Sequence, residues 1–337
     1  MATVGVVGAT TWGTTLSILA AQHGLDARLW ARTENEASQL RTDGRNKRFL
    51  PDAPFPAGMS VASSTTEAFG EADLVIVAVP ARTLRDNVRA VRDSLNSSAV
   101  IVSATKGLEL GTGRRMSQVL EEELPEGLSG RVCALSGPNL AGEIILGKVS
   151  STVVASGNEE AARSVQSHLS SARFRVYTHR DIVGVEFGGA LKNIIALGAG
   201  ICDGLQVGDN AKAAFITRGL AEISRLAVAA GAERLTLSGL AGMGDLIATC
   251  ANPLSRNHRV GVELAQGRSL DEIRAGMTNV AEGIDTTAAA VSMAKKLNVE
   301  LPITRATYDV LFNGLSIEQA IAELMDRTPR PEYAESR

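Results

Sequence analysis

The chain has 337 residues, which exceeds the size at which one hydrophobic core stops growing, so two domains are expected. Apolar residues make up 45% and charged residues 21%, a composition typical of globular rather than disordered proteins. The formal charge of −3 comes without a long block of one sign, which argues against broad attraction to nucleic acid or to an anionic membrane. An anionic ligand would therefore have to be held by local groups.

The cysteine and hydropathy patterns favour a cytoplasmic protein without a membrane span. Cys133, Cys202 and Cys250 are odd in number and far apart, so we expect three free thiols. The N-terminus enters an apolar run without a basic leader. The most apolar stretch, residues 194–202, is far shorter than the ~20 residues that span a bilayer.

Short apolar runs rich in Val and Ile alternate with stretches of helical spacing in the first half of the chain. This alternation predicts βαβ units around a parallel sheet whose strands are buried on both faces. A helix is predicted over residues 159–169. The predicted strands are residues 3–7, 27–31, 74–79, 99–103, 132–135, 151–155 and 173–177. We therefore predict an α/β Rossmann-type doubly wound sheet, with residues 1–178 forming a dinucleotide-binding domain.

Strand patterns fade beyond that point, and long helical patterns broken by Gly and Pro take their place. The clearest predicted helices are residues 215–230, 270–276, 286–297 and 316–325. We therefore predict an all-helical substrate and catalytic domain over residues 179–326, packed against the first domain with a cleft between them. Residues 327–337 contain two prolines and mixed charge, which predicts a flexible tail.

The first predicted strand runs into a glycine-containing turn and then into a helical pattern. Gly8 and Gly13 flank Thr10, Thr11 and Trp12 in the arrangement of the GxGxxG turn, which places a pyrophosphate on the amides of a helix N-terminus. Thr10 stands where the middle glycine is usual, so we expect a shifted cofactor or a hydrogen bond from its hydroxyl. A plain strand-to-helix turn is the alternative, although the position at the start of a run of βα units favours dinucleotide binding.

Arg32 follows the second predicted strand, where an NAD-specific site usually has an acidic residue for the ribose hydroxyl. A guanidinium group can pair with a 2′-phosphate or lie on an adenine ring. We therefore expect NADP(H) to be accepted besides NAD(H). A solvated surface arginine, neutralised by the nearby Glu34, is the alternative.

Lys192 is the only charged residue between Glu186 and Asp203, in a strongly apolar stretch rich in small residues. A charge in such a helix is costly unless it is paired, reaches the surface or takes part in chemistry. Burial would lower the pKa of the lysine toward the range needed for proton transfer near neutral pH. A lysine that extends to the surface is the equally good alternative.

Four predicted loops carry other polar groups that could meet a ligand. Two of them follow predicted strands, at the edge where open α/β sheets bind ligands. A third places one carboxylate among glycines, and the fourth gathers a hydroxyl, an amide and two guanidinium groups that suit a phosphate or carboxylate. A solvated basic turn is the alternative for the fourth. In chain order these loops contain Lys106, the segment Ser136-Gly137-Pro138-Asn139, Asp245, and the segment Ser255-Arg256-Asn257-His258-Arg259.

Taken in this order, the motifs resemble the bacterial NAD(P)-dependent glycerol-3-phosphate dehydrogenases. The resemblance covers nearly the whole chain, through ATKGLE, SGPN, GGALKNIIALGAG, TRGLAE, AGMGDL, SRN, VAEG and LPIT. It implies a Rossmann domain followed by a helical domain, with NADP(H) and NAD(H) as cofactors. It also implies interconversion of dihydroxyacetone phosphate and sn-glycerol 3-phosphate for phospholipid synthesis, in a cytoplasmic homodimer.

The resemblance also implies roles for individual residues. It makes Lys192 the proton donor and acceptor. It implies cofactor contacts at Thr11, Trp12, Arg32, Lys106, Ala141, Arg256, Val280 and Glu282. It implies substrate contacts at Lys106, Gly137, Asn139, Lys192, Asp245, Ser255, Arg256 and Asn257. The chain departs from the family at Thr10, where a glycine is usual, and at Gly142, where many relatives have a basic residue.

Two other functions fit parts of the same pattern. One is a reductase of the same architecture that acts on a hydroxy acid, such as the 3-hydroxyisobutyrate or ketopantoate type. The other is a dinucleotide-binding regulator without catalytic activity, in which Lys192 is only structural. A metal is not expected, because no cluster of His, Cys and carboxylate residues shows ligand spacing.

Overall fold

The computed structural model describes residues 1–277, 280–329 and 331–332. Its first half forms one sheet from the strands β1 (Thr3–Val7), β2 (Asp26–Trp30), β3 (Met59–Ala62), β4 (Leu74–Val77), β5 (Val100–Ser103), β6 (Val132–Ser136), β7 (Ser150–Ala155) and β8 (Phe174–His179). The strand order is β3-β2-β1-β4-β5-β6-β7-β8. From β1 the chain adds β2 and β3 on one side, and it then returns to add β4 on the other side of β1. The position between β1 and β4 is therefore a topological switch point, where ligands of open α/β sheets bind.

The sheet confirms the predicted doubly wound fold but differs from the prediction in two details. It contains β3, which was not predicted, at its edge. It is also not fully parallel, because β6 and β7 pair antiparallel while the other neighbouring strands pair parallel. The carboxyl ends of β1, β4 and β5 lie side by side in register, so the loops after these three strands meet at one edge.

Helices cover both faces of the sheet. The two largest clusters of buried apolar side chains lie on its opposite faces, one around α1 and α8 and the other around α4 and α5. The helices of this half are α1 (Thr11–Gln22), α2 (Glu34–Asp43), α3 (Thr65–Phe69), α4 (Leu84–Val91), α5 (Met116–Glu123), α6 (Glu126–Ser129), α7 (Ala141–Ile145) and α8 (Glu159–Leu169), and the last agrees with its prediction residue for residue.

The second half of the described chain is helical, which confirms that part of the fold class. Its helices are α9 (Ile182–Gly204), α10 (Asp209–Ala229), α11 (Asp245–Ala251), α12 (Arg256–Ala265), α13 (Leu270–Gly276), α14 (Glu282–Leu297), α15 (Pro302–Phe312) and α16 (Ile317–Met325). The domain boundary at residues 178/179 stays a prediction, and β8 ends at His179. Of the predicted tail, Arg330 and residues 333–337 lie outside the described residues.

Two segments that were predicted as loops are helical instead. Residues Leu240–Gly244 form a π-helical turn in which the Gly244 amide donates to the Gly239 carbonyl over 3.1 Å, and α11 continues directly from it. The second segment begins α12, because the Ser255 hydroxyl caps the helix and its apolar residues pack inward. Both predictions were wrong because polar and glycine-rich composition resembles that of loops, whereas packing against α9 decides the conformation.

The long helix α9 lies at the centre of the second half. By length and hydropathy it alone, among the helices in the described part of the chain, could cross a membrane, but 83% of its apolar window is buried inside the protein. It packs most extensively against α12, where glycines allow the backbones to touch. A Cβ at Gly200 would lie 1.9 Å from the His258 carbonyl oxygen. The apolar character of α9 therefore reflects its position in the core.

The three cysteines are free thiols, as predicted. Cys133 on β6 and Cys250 on α11 are buried, and burial raises the pKa of each thiol to about 12. Both therefore act as small apolar residues of the core.

Candidate active site

The turn after β1 has the backbone shape that a phosphate-binding turn needs. Gly8 has φ +116°, and a Cβ there would lie 2.7 Å from the Ala78 carbonyl oxygen. A Cβ at Gly13 would lie 2.0 Å from the Gly8 carbonyl oxygen. Because the first turn of α1 carries no acidic residue, the free amides of Thr11 and Trp12 can face an anion. The turn fits a dinucleotide pyrophosphate.

Thr10 is the N-cap of α1. Its hydroxyl accepts a hydrogen bond from the Gly13 amide over 3.1 Å and donates one to the Ala78 carbonyl over 2.8 Å. The hydroxyl does contribute a hydrogen bond, and this bond connects the turn to the residue after β4. A contact between Thr10 and the cofactor stays a prediction.

Trp12 supplies an observation that fits a bound group at this turn. Its indole Nε1 is buried and has no hydrogen-bond partner among the described residues. Buried donors without a partner are rare and costly, and a ligand or a water molecule usually satisfies them. The residues of the turn therefore fit a cofactor in shape and in hydrogen-bonding capacity.

Arg32 lies just beyond β2 with an exposed side chain that is held in place by Asn87 of α4. Its Nε and Nη2 atoms donate to Asn87 Oδ1 over 3.2 and 2.9 Å. Glu34 does not neutralise it, because that carboxylate accepts from Arg41 and Ser63 instead. The alternative in which Glu34 cancels the charge of Arg32 is therefore wrong, and Nη1 remains available.

Lys192 is buried in the middle of α9, and it does not extend to the surface. Its Nζ lies 2.5 Å from Asp245 Oδ1 and 2.5 Å from Thr249 Oγ1, both on α11. Burial lowers the pKa of Lys192 to about 8, although the charge of Asp245 acts in the opposite direction. Both protonation states of this lysine are therefore accessible near neutral pH.

Asp245 also contacts a second ammonium group. Lys106, in the loop after β5, donates from Nζ to Asp245 Oδ2 over 2.7 Å and to the Gly137 carbonyl over 3.0 Å. One buried carboxylate thus joins a lysine from the sheet half to a lysine from the helical half. The structure brings together four of the residues singled out from the sequence, Lys106, Gly137, Lys192 and Asp245.

Thr249 is a residue of this cluster that the sequence analysis missed. It lies four residues after Asp245, on the same face of α11, and it contacts the Lys192 ammonium directly. The spacing of four residues was visible in the sequence. It could not be used, because the segment around Asp245 was predicted as a loop.

The beginning of α12 carries the predicted phosphate-binding group. The Ser255 side chain caps the helix, accepting from the His258 amide over 3.4 Å. The Arg256 guanidinium makes no hydrogen bond or ion pair with any described residue. Surrounding protein lowers the pKa of its guanidinium by desolvation, and the charge of Glu282 partly offsets this effect. Arg256 is therefore a cation without a protein partner in the described part of the chain, which suits an anionic ligand.

Asn257 is used largely within the protein. Its Nδ2 donates to Asn193 Oδ1 over 2.9 Å, and its Oδ1 accepts from the Gly283 amide over 2.9 Å. Since Asn193 follows Lys192 in the chain and Arg256 precedes Asn257, this hydrogen bond connects the lysine cluster with the start of α12. Asn193 is a second residue that the sequence analysis did not single out.

Glu282 is the first residue of α14 and reaches the sheet half. Its Oε1 accepts from the Ala81 amide over 3.2 Å. Desolvation raises the pKa of Glu282 to about 7, while the Ala81 amide and the charge of Arg256 act against this shift. Val280 lies two residues earlier and is half-buried.

The remaining predicted contacts lie on the other side of the cluster, near β7. The Asn139 side chain donates to Ser150 Oγ and to the Ser151 carbonyl, each over 3.2 Å, and accepts from Thr152. Its amide group is thus used to hold the β6–β7 connection. Ala141 begins the short helix α7, and Gly142, the position that departs from the family, is exposed.

The fold and the site together define a Rossmann-type oxidoreductase with a buried lysine. Comparison with known families gives a more specific result. Residues 3–162 match the NAD-dependent glycerol-3-phosphate dehydrogenase N-terminus, and residues 181–322 match the C-terminus of the same family. The chain belongs to the NAD-dependent glycerol-3-phosphate dehydrogenase family, which confirms the resemblance drawn from the motifs.

Individual relatives agree with this assignment. A protein of Dehalococcoides mccartyi named glycerol-3-phosphate dehydrogenase [NAD(P)+] is 51% identical over 335 residues, covering 99% of this chain and 93% of the relative. A protein of Chlorobium limicola with the same name is 47% identical, covering 98% and 99% of the two chains. The crystal structure of glycerol-3-phosphate dehydrogenase from Coxiella burnetii is 33% identical, with a TM-score of 0.90 and coverage of 97% and 99%.

Proposed function

We propose that this protein catalyses reversible hydride transfer between NAD(P)H and dihydroxyacetone phosphate, giving sn-glycerol 3-phosphate. The observation that carries the proposal is the buried Lys192 ammonium, held by Asp245 and Thr249 beside Lys106. A proton donor with a lowered pKa, next to a second cation, suits a reaction in which a carbonyl oxygen gains negative charge. Family membership and the two relatives named above support the same substrate and the same cofactors.

The nicotinamide would supply the hydride, and the protein would manage the proton and the charge. The Lys192 ammonium would stabilise the oxygen of the developing alkoxide and then transfer its proton to that oxygen. In the oxidative direction the neutral amine would accept this proton. General acid–base catalysis of this kind contributes about 10² to 10⁴ in rate. Asp245 would keep Nζ oriented throughout, because its Oδ1 accepts a hydrogen bond from the ammonium.

Arg256 would bind the substrate phosphate away from the reacting carbon. Its guanidinium has no partner among the described residues, and the N-terminus of α12 lies beside it. Such remote binding restricts the orientation of the substrate and so favours the reaction geometry. Ser255 and Asn257 flank Arg256 and support its position, since both hold the start of the helix.

The proposal is tested by following the absorbance of NADPH with purified protein and different ketones. We expect oxidation of NADPH with dihydroxyacetone phosphate and much slower oxidation with unphosphorylated dihydroxyacetone. Ketopantoate is the third arm, because a ketopantoate reductase from Ralstonia eutropha shares the fold at 17% identity with a TM-score of 0.59. Faster turnover of ketopantoate would favour a hydroxy-acid reductase. Binding of NADPH without turnover of any ketone would favour the regulator.

We further propose that the protein is a homodimer in the cytoplasm, and the family resemblance supports both statements. Sedimentation equilibrium would test the first, with a molecular mass of twice the 35.3 kDa chain as the expected result. A monomer at the protein concentration of the assay would contradict it. Fractionation of source cells followed by detection of the protein would test the second.

A further inference from the structure

We infer that Asn87 is a positioning residue that sets the preference of this protein for a cofactor with a 2′-phosphate. The inference rests on the proposed function and on the contact between Arg32 and that phosphate that was expected from the sequence. Asn87 was not singled out from the sequence, and it lies 55 residues from Arg32 along the chain. It acts on the cofactor only through the guanidinium that it holds.

Two nitrogen atoms of the Arg32 side chain donate to one oxygen atom of Asn87, which fixes the plane of the guanidinium. Asn87 Oδ1 accepts from both Nε and Nη2 of Arg32, so the Nε–Nη2 edge of the guanidinium is turned toward α4. The two donors of Nη1 and the second hydrogen of Nη2 make no hydrogen bond to any residue that the structure describes. These donors can bind two phosphate oxygens at once, which is the preferred geometry for arginine and phosphate.

The orientation of the Asn87 amide is itself determined. Its Nδ2 donates to the Thr83 carbonyl over 2.6 Å, so Oδ1 must face Arg32. Asn87 is only 3% exposed, which means that the group holding the surface arginine is anchored inside the protein. An exposed arginine without such an anchor loses side-chain entropy when a ligand fixes it. Asn87 reduces this loss before the cofactor arrives.

The charges around Arg32 fit this role. The Asn87 amide is neutral, so it holds the guanidinium without cancelling its charge. Neither Glu34 nor Glu36 pairs with the guanidinium in the described part of the chain, since Glu34 pairs with Arg41 and Glu36 accepts from the Arg32 backbone amide over 3.1 Å. An aspartate at position 87 would still accept from Arg32 but would neutralise it and repel a phosphate. The choice of asparagine therefore keeps the positive charge available.

The test measures the dissociation constants of 2′,5′-ADP and 5′-AMP by isothermal titration calorimetry. These two probes differ by the 2′-phosphate alone, so their ratio isolates its recognition and does not depend on catalysis. Asn87→Asp should weaken 2′,5′-ADP about tenfold or more while changing 5′-AMP little, because a carboxylate replaces a neutral group next to the phosphate. Asn87→Ala should weaken 2′,5′-ADP by about three- to tenfold through loss of the anchor.

Two further variants separate the possible outcomes. Asn96→Asp is the matched control, because it makes the same change just before the amino end of β5, whereas the predicted cofactor turn follows the carboxyl end of β1. The aspartate also keeps an acceptor oxygen for Ser98. It should leave both probes unaffected. In the double variant, Arg32→Ala with Asn87→Ala, the loss should equal that of Arg32→Ala alone, since Asn87 acts only through the arginine.

The results distinguish failure of the inference from failure of the function on which it rests. If Arg32→Ala leaves the ratio of the two constants unchanged, the proposed cofactor role of Arg32 is wrong. If Arg32→Ala lowers the preference for 2′,5′-ADP but both folded Asn87 variants keep it, the inference is overturned and the proposed function stands. Asn87→Asp retains the size of the side chain, so it provides the decisive result if Asn87→Ala does not fold.

Discussion

The ammonium of Lys192 and the carboxylate of Asp245 are separated by 2.5 Å in the interior of the protein, where both side chains are almost fully excluded from solvent. Desolvation disfavours the charged lysine, and the carboxylate restores part of its stability, so the pKa of Lys192 is about 8 instead of 10.5. The pair therefore combines a buried proton donor with a fixed orientation.

The first prediction concerns Lys192→Ala. The lysine stabilises charge that exists chiefly in the transition state, so turnover should fall by about 10² to 10⁴ while the affinity for NADPH changes little. Steady-state kinetics with dihydroxyacetone phosphate and a separate NADPH titration would measure the two effects. Lys47→Ala, which removes an exposed lysine, is the control. A folded Lys192 variant with parental turnover would show that this lysine is only structural.

The second prediction concerns the pH dependence of turnover. Reduction of the ketone needs the protonated lysine, so kcat/KM should be constant below the pKa of about 8 and decrease above it. Oxidation of glycerol 3-phosphate needs the neutral amine, so its kcat/KM should rise with pH and level off above the same value. Measuring the pH–rate profile in both reaction directions would reveal these two limbs, the falling one for reduction and the rising one for oxidation.

The Asp245→Asn variant tests the assignment of these limbs to Lys192. Removing the carboxylate removes an effect that raises the pKa of the lysine, so both limbs should move to lower pH. Turnover itself should also fall, because Asp245 orients Nζ. Limbs that stay in place in this variant would show that another group controls the profile.

The third prediction separates phosphate binding from chemistry at Arg256. The phosphate is charged in both the ground state and the transition state, so Arg256→Ala should raise KM for dihydroxyacetone phosphate sharply. Turnover should fall less than in Lys192→Ala, although a loosely held substrate is poorly oriented. Dihydroxyacetone without its phosphate is the control substrate. If its turnover drops as much as that of the phosphorylated ketone, Arg256 has a role other than binding the phosphate.

The fourth prediction concerns the cap of α1. Thr10→Val keeps the shape of the side chain but removes the hydroxyl that bonds to Gly13 and Ala78. Loss of an N-cap side chain costs about 0.5 to 2 kcal/mol, so the free energy of unfolding should fall by this amount. Urea denaturation would measure it. Thr10→Ser, which retains the hydroxyl, should lose much less. Equal loss in both variants would mean that the methyl group, and not the cap, stabilises the turn.

Much of the sheet was predictable because most of its strands have a local sequence pattern. Strands buried on both faces are continuous apolar runs, as β4 and β5 show, and such runs can be recognised without knowing their neighbours. The short edge strand β3 was missed, because Met59–Ala62 includes partly exposed residues and becomes a strand only by pairing with β2. The antiparallel direction of β7 was missed for a similar reason, since direction is a property of a pair of strands.

For the candidate site, too, some features could be predicted from the sequence and others could not. The chemical groups of the site could be recognised before the structure was known, because a single lysine in an apolar helix and a glycine turn after the first strand are visible in composition and spacing. The contacts of these groups depend on the tertiary fold. Lys192 meets an aspartate 53 residues away, and Arg32 meets an asparagine 55 residues away. Such contacts form when helices pack on a common core, and the packing depends on the shapes of all the faces involved at once.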